Sequence, residues 1–244
     1  MRILLLGGTT EASLMAKTLA EQGIAGVFSY AGRTEAPITQ PLPQRVGGFG
    51  GVTGLVDYLR AEAITHVIDA THPFAAQMST HAVAACALAH VPLIALERQP
   101  WAPQMGDDWI QVADMQEAVA VLPEDPARVF LAIGRLQLEV FAVKPQHHYL
   151  LRLVDPPQNL PFPAEVVISR GPFAYTEDLA LLQAHGIQIV VSKNAGGVGA
   201  RAKLEAARRL GLRVILINRP QVPPRLTVET VAEVMSFLHA NLGE

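Results

Sequence analysis

The tightest constraint on the fold is an abrupt change of pattern within the first twelve residues. Ile3-Leu4-Leu5-Leu6 is a continuous apolar run, Gly7-Gly8 stops it, and Thr9-Thr10-Glu11-Ala12 opens a stretch of helical period. A short, wholly apolar run suits a strand buried on both faces, as in parallel sheets covered by helices on each side. The rhythm continues, with strands predicted at 3–6, 26–30, 66–70 and 92–96 and helices at 11–21, 53–62 and 75–89. This β-α alternation requires parallel strands joined by right-handed helical crossovers.

Arg98-Gln99-Pro100-Trp101-Ala102-Pro103 and Gly106-Asp107-Asp108 then break the pattern, because closely spaced prolines cannot continue a regular element. Beyond the break, strands are predicted at 109–112, 128–133, 148–154, 165–169, 188–192 and 213–218. Helices are predicted at 115–122, 136–143, 176–185, 200–210 and 228–242. The expected architecture is α/β: two Rossmann-like lobes, residues 1–98 and 99–244, each a parallel sheet flanked by helices, with an active-site cleft between them. Pattern alone leaves open which lobe receives the last strand.

Composition narrows the function. Half of the 244 residues are hydrophobic, 17% are charged and the net charge is −3, without a block of like charges. Nucleic-acid proteins draw most of their affinity from a basic surplus, which is absent here. No apolar run reaches the length of a membrane span, and the opening apolar run is too short for a secretory signal. Cys86 is the only cysteine, so no internal disulfide and no cysteine-based metal cluster is expected. These features fit a soluble cytoplasmic enzyme acting on small molecules.

Gly7-Gly8-Thr9-Thr10-Glu11-Ala12 lies between a buried-type strand and a helix start. Glycine lets backbone approach a pyrophosphate, and a helix N-terminus presents unpaired N–H groups to it. Against the dinucleotide pattern G-x-G-x-x-G/A, Gly7 and Ala12 match while Thr9 replaces the middle glycine. Thr9 and Thr10 can add hydroxyl donors, and either can cap the helix without any ligand. After the second predicted strand comes Ala31-Gly32-Arg33-Thr34, with Arg33 where NAD enzymes carry an acid for the ribose hydroxyls. A guanidinium there suits a 2′-phosphate, so NADPH is expected rather than NADH; a solvated surface arginine is the alternative.

Three further segments stand at strand ends. Arg45-Val46-Gly47-Gly48-Phe49-Gly50-Gly51 is too glycine-dense for a strand interior and reads as a loop, either flexible or close to a ligand. Asp69-Ala70-Thr71-His72-Pro73-Phe74-Ala75 follows a buried strand, with Thr71 as a helix N-cap and His72 either a cofactor contact or a histidine satisfied within its turn. Ser192-Lys193-Asn194-Ala195-Gly196-Gly197-Val198-Gly199 repeats the strand–glycine turn–helix order and adds cations at Lys193, Arg201 and Lys203. Cations at a helix N-terminus oppose the helix dipole, which favours a bound anion over a merely decorated turn. Ile133-Gly134-Arg135 is a lesser instance, and Arg98 sits at the lobe junction.

Taken together, these motifs resemble the precorrin-6A reductase family of cobalamin biosynthesis over nearly the whole chain. The 69–75 string with 192–197 carries most of the resemblance. It implies NADPH-dependent reduction of one ring double bond of precorrin-6A, or its cobalt complex, to the 6B form. It also implies a tetrapyrrole substrate whose carboxylates meet cations, and product transfer to neighbouring pathway enzymes. The candidate cofactor residues are Gly7, Gly8, Thr9, Thr10, Glu11, Arg33, Thr71 and His72. The candidate substrate residues are Arg98, Arg135, Ser192, Lys193, Asn194, Gly196, Gly197 and Arg201, with Lys193 and His72 as candidate catalytic residues and no metal site. Ile133-Gly134-Arg135 stands where the resemblance leads one to expect a Gly-Ser/Arg-Lys-like turn.

Two other classes compete. A short-chain-type reductase of a smaller substrate needs Tyr-x-x-x-Lys, and none of Tyr30, Tyr58, Tyr149 and Tyr175 has a lysine four residues on. A non-enzymatic NADP-sensing module has no evident need for a second anion-seeking turn.

Overall fold

The computed structural model describes residues 1–32 and 38–240. The chain forms two compact units, Met1–Gln99 with Gln221–Glu244, and Pro100–Pro220. The expected boundary after residue 98 lies beside the observed one. The expectation that everything beyond it belongs to the second lobe is corrected: the chain from Gln221 returns to the first unit.

The first unit contains β1 (Arg2–Leu6), α1 (Thr10–Glu21), β2 (Ala25–Tyr30), β3 (Gln44–Val46), α2 (Gly51–Ala61), β4 (His66–Asp69), α3 (Ala76–Ala89) and β5 (Leu93–Leu96). The segments β12 (Thr227–Val228) and α7 (Val231–Ala240) complete it. All strands are parallel, in the order β3-β2-β1-β4-β5-β12, with Leu4 opposite Val27 and Val67. This is the 3-2-1-4-5-6 order of dinucleotide-binding folds. The pleat divides the first apolar run. Ile3 and Leu5 pack with α1 and α7, whereas Leu4 and Leu6 pack with α2 and α3. All four are fully buried or nearly so, each contributing about 1.5–3 kcal/mol of apolar burial. That two-sided demand is why the run is uninterrupted.

The second unit contains β6 (Asp108–Val112), α4 (Met115–Ala120), β7 (Arg128–Ala132), β8 (His148–Leu153), β9 (Ala164–Ile168), α5 (Tyr175–Ala184), β10 (Ile189–Lys193), α6 (Ala202–Leu210) and β11 (Arg213–Ile217). Its sheet is again all parallel, in the order β9-β8-β7-β10-β11-β6. Five strands follow the same winding as in the first unit. In each sheet the sixth position is filled from outside that winding: β6 precedes β7 in the chain, and β12 arrives only after the second unit is complete. The predicted helix at 136–143 is instead two short 3-10 segments, Arg135–Gln137 and Glu139–Val143. β-branched Val140 and Val143, with Pro145 close behind, disfavour a continuous α-helix.

In both sheets the winding direction reverses between the third and fourth strands of the order. Ligands of such folds bind at the carboxyl ends of those strands. The reversal falls between β1 and β4 in the first unit and between β7 and β10 in the second.

Candidate functional site

In the first unit the reversal brings Gly7-Gly8-Thr9 beside Asp69-Ala70-Thr71-His72. Gly7 N–H donates to Ser29 O (3.0 Å), and a Cβ at Gly7 would lie 2.1 Å from the buried Phe28 ring. Gly8 has φ +119° and open space around the position of a Cβ. Thr9 is the N-cap of α1, its Oγ1 accepting from Ala12 N–H (3.1 Å). The same hydroxyl donates to Ala70 O (2.8 Å). Its single proton is therefore used within the protein, which corrects the expectation of a hydroxyl donor for phosphate. What the turn offers an anion is backbone: the N–H groups of Thr10 and Glu11 fall in the first turn, where a helix supplies no acceptor. Glu11 pairs with Arg98 (2.5 Å). Arg98, expected at the substrate, is thus placed in the first unit's turn.

Thr71 is not a helix cap; α3 starts at Ala76, with Ala75 at the cap position. Thr71 instead donates its N–H (3.2 Å) and hydroxyl (2.7 Å) to Asp69 Oδ1. Phe74 N–H donates to His72 Nδ1 (3.2 Å), so in the neutral ring the proton sits on Nε2. Arg33 lies outside the described residues. Arg45 carries no separate sequence signal beyond the 45–51 segment. On β3 it donates to Ser29 Oγ (2.7 Å), Gly47 O (2.9 Å) and Gly48 O (3.0 Å), with its guanidinium 3.8 Å from the Phe49 ring centre. It fastens the 47–51 glycine loop to the end of β2. Cys86 is buried, and that burial together with the charge of Asp69 pushes its thiol up to about 12, which keeps it protonated and unreactive.

In the second unit the reversal brings Gly134-Arg135 beside Lys193–Gly197. By topology, Ile133-Gly134-Arg135 is the counterpart of the first glycine turn, and the Lys193 turn is the counterpart of 69–72. Gly134 has φ 76° and ψ 177°, a conformation only glycine adopts readily. Gly196 and Gly197 both have φ +70°. Asn194, expected at the substrate, is buried and acts as scaffold. Its Oδ1 accepts from Trp101 N–H (2.7 Å) and its Nδ2 donates to Trp101 O (3.0 Å). Trp101 Nε1 donates to Gly197 O (2.7 Å). Arg219, beyond the end of β11, donates to Asn194 O (3.0 Å) and Ala195 O (3.2 Å). A single arginine and a lone tryptophan in loops give no sequence signal of this clamp.

The remaining candidates divide. Ser192 is buried, donating to Lys193 O (3.2 Å). Lys193 closes β10 at the carboxyl edge and is half-buried, and Arg135 is exposed on the neighbouring turn. Arg201 pairs with Glu205 (3.1 Å), and buried Lys203 donates to Ala200 O (2.6 Å) with the Trp101 ring 4.9 Å away. The dipole conflict read from sequence is therefore met largely inside the protein, and it weighs less for an anion than the pattern suggested.

Residues 2–239 match the family model described as Precorrin-6x reductase CbiJ/CobK. The chain is 64% identical over 239 residues to the precorrin-6A reductase of Rhodobacter capsulatus, spanning 97% of this chain and 95% of that protein. It is 30% identical over 250 residues to the cobalt-precorrin-6A reductase of Priestia megaterium, spanning 97% of each. A solved structure of CobK precorrin-6A reductase superposes with a TM-score of 0.96 at 63% identity, covering 98% of this chain and 96% of that one. Two Rossmann-like sheets with glycine turns at both reversal points, matched along almost the entire chain, place the protein in the precorrin-6x reductase CbiJ/CobK family, reductases of cobalamin biosynthesis.

Proposed function

We propose that the protein uses NADPH to reduce one ring double bond of metal-free precorrin-6A, giving the 6B form. The observation that carries this reading is the Gly7–Glu11 turn at the reversal point of a 3-2-1-4-5-6 sheet, with a capped helix start and open space over Gly8. Those features fit a pyrophosphate on the N–H groups of the turn. The metal-free substrate is favoured because relatives named for precorrin-6A are 41–64% identical, against 27–30% for those named for the cobalt form.

When bound, NADPH supplies the hydride. The chain's own residues bind and orient. Arg33, three residues after β2 in the sequence, is the residue type suited to a 2′-phosphate. Thr71 and His72 face the same reversal point, where a protonated Nε2 on His72 suits a ribose hydroxyl or a phosphate oxygen. Arg98 neutralises Glu11, which otherwise sets a carboxylate against the phosphates. In the second unit, Lys193 and Arg135 offer cations to the substrate's acetate and propionate groups, and the 194–197 turn is held in shape by Trp101 and Arg219. The protein's part is positioning and electrostatics rather than covalent chemistry.

The test is to mix the purified protein with NADPH or NADH and with metal-free or cobalt-bound substrate, following the nicotinamide absorbance. Loss of absorbance with NADPH and the metal-free substrate is expected. Binding of NADPH without any loss would replace the reductase reading with a sensor.

A further inference from the structure

Asp69 ends β4 at the reversal point and is almost wholly buried. One carboxylate oxygen, Oδ1, accepts both the N–H and the hydroxyl of Thr71. The other, Oδ2, has no hydrogen-bond partner among the described residues, and neither does Arg225 Nε, which lies 3.7 Å away. The Arg225 side chain is 11% exposed, and its other end donates to Glu97 Oε2 (2.8 Å). One guanidinium thus stands against two carboxylates, and a buried carboxylate such as Asp69 requires such an opposite charge.

Asp69 is joined to the glycine turn through the next residue. Ala70 N–H donates to Leu6 O (2.9 Å), and Ala70 O accepts the Thr9 hydroxyl that caps α1 at Ala12. Arg225 itself belongs to the segment that returns after the second unit and leads into β12 beside β5.

We infer that Arg225 is a positioning residue for the cofactor turn: by holding the Asp69 carboxylate it fixes Thr71 and Ala70, and through Ala70 the Thr9 cap. This rests on the reading of the first unit as the NADPH site, while the brace is a property of the chain that can be measured without NADPH. A planar guanidinium serves two carboxylates at once, whereas a lysine ammonium is a point charge suited to one.

The experiment is hydrogen–deuterium exchange on the full-length wild type, Arg225→Met and Arg225→Lys, with NADPH dissociation constants measured alongside. In Arg225→Met, the amides of Thr71 and Ala12 are expected to exchange at least tenfold faster. The amide of Ile24, bonded to Leu19 O in the same unit, should change less than twofold. NADPH should bind at least fivefold more weakly, with Arg225→Lys recovering less than half of the loss. If Thr71 and Ala12 are unchanged, or if Ile24 accelerates equally, the inference is overturned. Should Arg225→Met not fold, Arg225→Lys carries the test: threefold faster exchange at Thr71 supports the brace, and unchanged exchange overturns it. Faster exchange in the variants of a protein whose wild type does not bind NADPH supports the brace and removes the cofactor reading instead.

Discussion

Arg98 sets a guanidinium nitrogen 2.5 Å from Glu11 Oε2 at the first turn of α1, with the two side chains 18% and 27% exposed. A carboxylate there is welcome to the helix dipole but opposes a phosphate that uses the same N–H groups. Arg98→Ala is therefore expected to raise the NADPH dissociation constant about tenfold, and Glu11→Gln to change it less than threefold. The double variant should fall between them. For a partly exposed pair the coupling is about 1 kcal/mol, or roughly fivefold. A titration cycle showing strictly additive effects would mean that the pair does not act on the phosphates.

Gly7 and Gly8 are both required, for different reasons. A Cβ at Gly7 collides with the Phe28 ring, whereas Gly8 has room but a φ of +119°. Gly7→Ala should lower the melting temperature sharply, and Phe28→Leu in the same chain should restore part of the loss by making space. Gly8→Ala should fold at a cost of about 1–3 kcal/mol and bind NADPH at least tenfold more weakly. Thermal melts and nicotinamide fluorescence separate the two.

Much of this was legible in the residues. The strict apolar run 3–6 announces a strand buried on both faces, and the alternation that follows announces two parallel sheets. The 44–46 and 227–228 strands were not legible, because three and two residues carry no period and owe their conformation to pairing with a neighbour. Nor can local pattern say that β6 and β12 fill the sixth positions from outside each winding, since that choice rests on contacts distant in sequence. At the sites, glycine positions were readable because backbone conformation demands them. The scaffold role of Asn194 is not readable locally, because its partner, Trp101, lies 93 positions away. Arg219 and Arg225 give no local signal for the same reason, their partners Asn194 and Glu97 lying 25 and 128 positions away.

Asn194→Ala leaves the Trp101 N–H and C=O without their partners in a buried place. Stability should fall by about 2–4 kcal/mol, and the 194–197 turn should lose its shape. The KM for the tetrapyrrole is then expected to rise tenfold or more with NADPH affinity unchanged. Equal losses for both ligands in steady-state kinetics and NADPH titration would contradict a scaffold role confined to the second unit.

On the proposed reading, Lys193 and His72 serve different ligands. Lys193→Ala should weaken the tetrapyrrole and leave NADPH binding intact, and His72→Ala should do the reverse. Single-turnover reduction at saturating ligands tells binding from catalysis. If both variants keep the wild-type rate there, neither residue takes part in the chemical step.

Two buried histidines are expected to make the fold sensitive to acid. His66 is driven below the ordinary histidine value of 6.5 by burial and by the nearby N-terminal amino group, and its Nε2 has no partner among the described residues. His147 is lowered by burial and by Lys144, against the opposing pull of Glu124 and a backbone hydrogen bond, and its Nδ1 accepts from Ala127 N–H (3.1 Å). Protonating that nitrogen forfeits the bond. Both residues bind protons more readily when unfolded, so stability is full above pH 6.5 and declines as pH falls through the lowered folded values. The melting temperature should be flat from pH 8 to 7 and fall as pH drops below about 6.5. Replacing both residues with glutamine should flatten that slope while lowering the plateau. An undiminished slope in the double variant would assign the acid sensitivity to other groups.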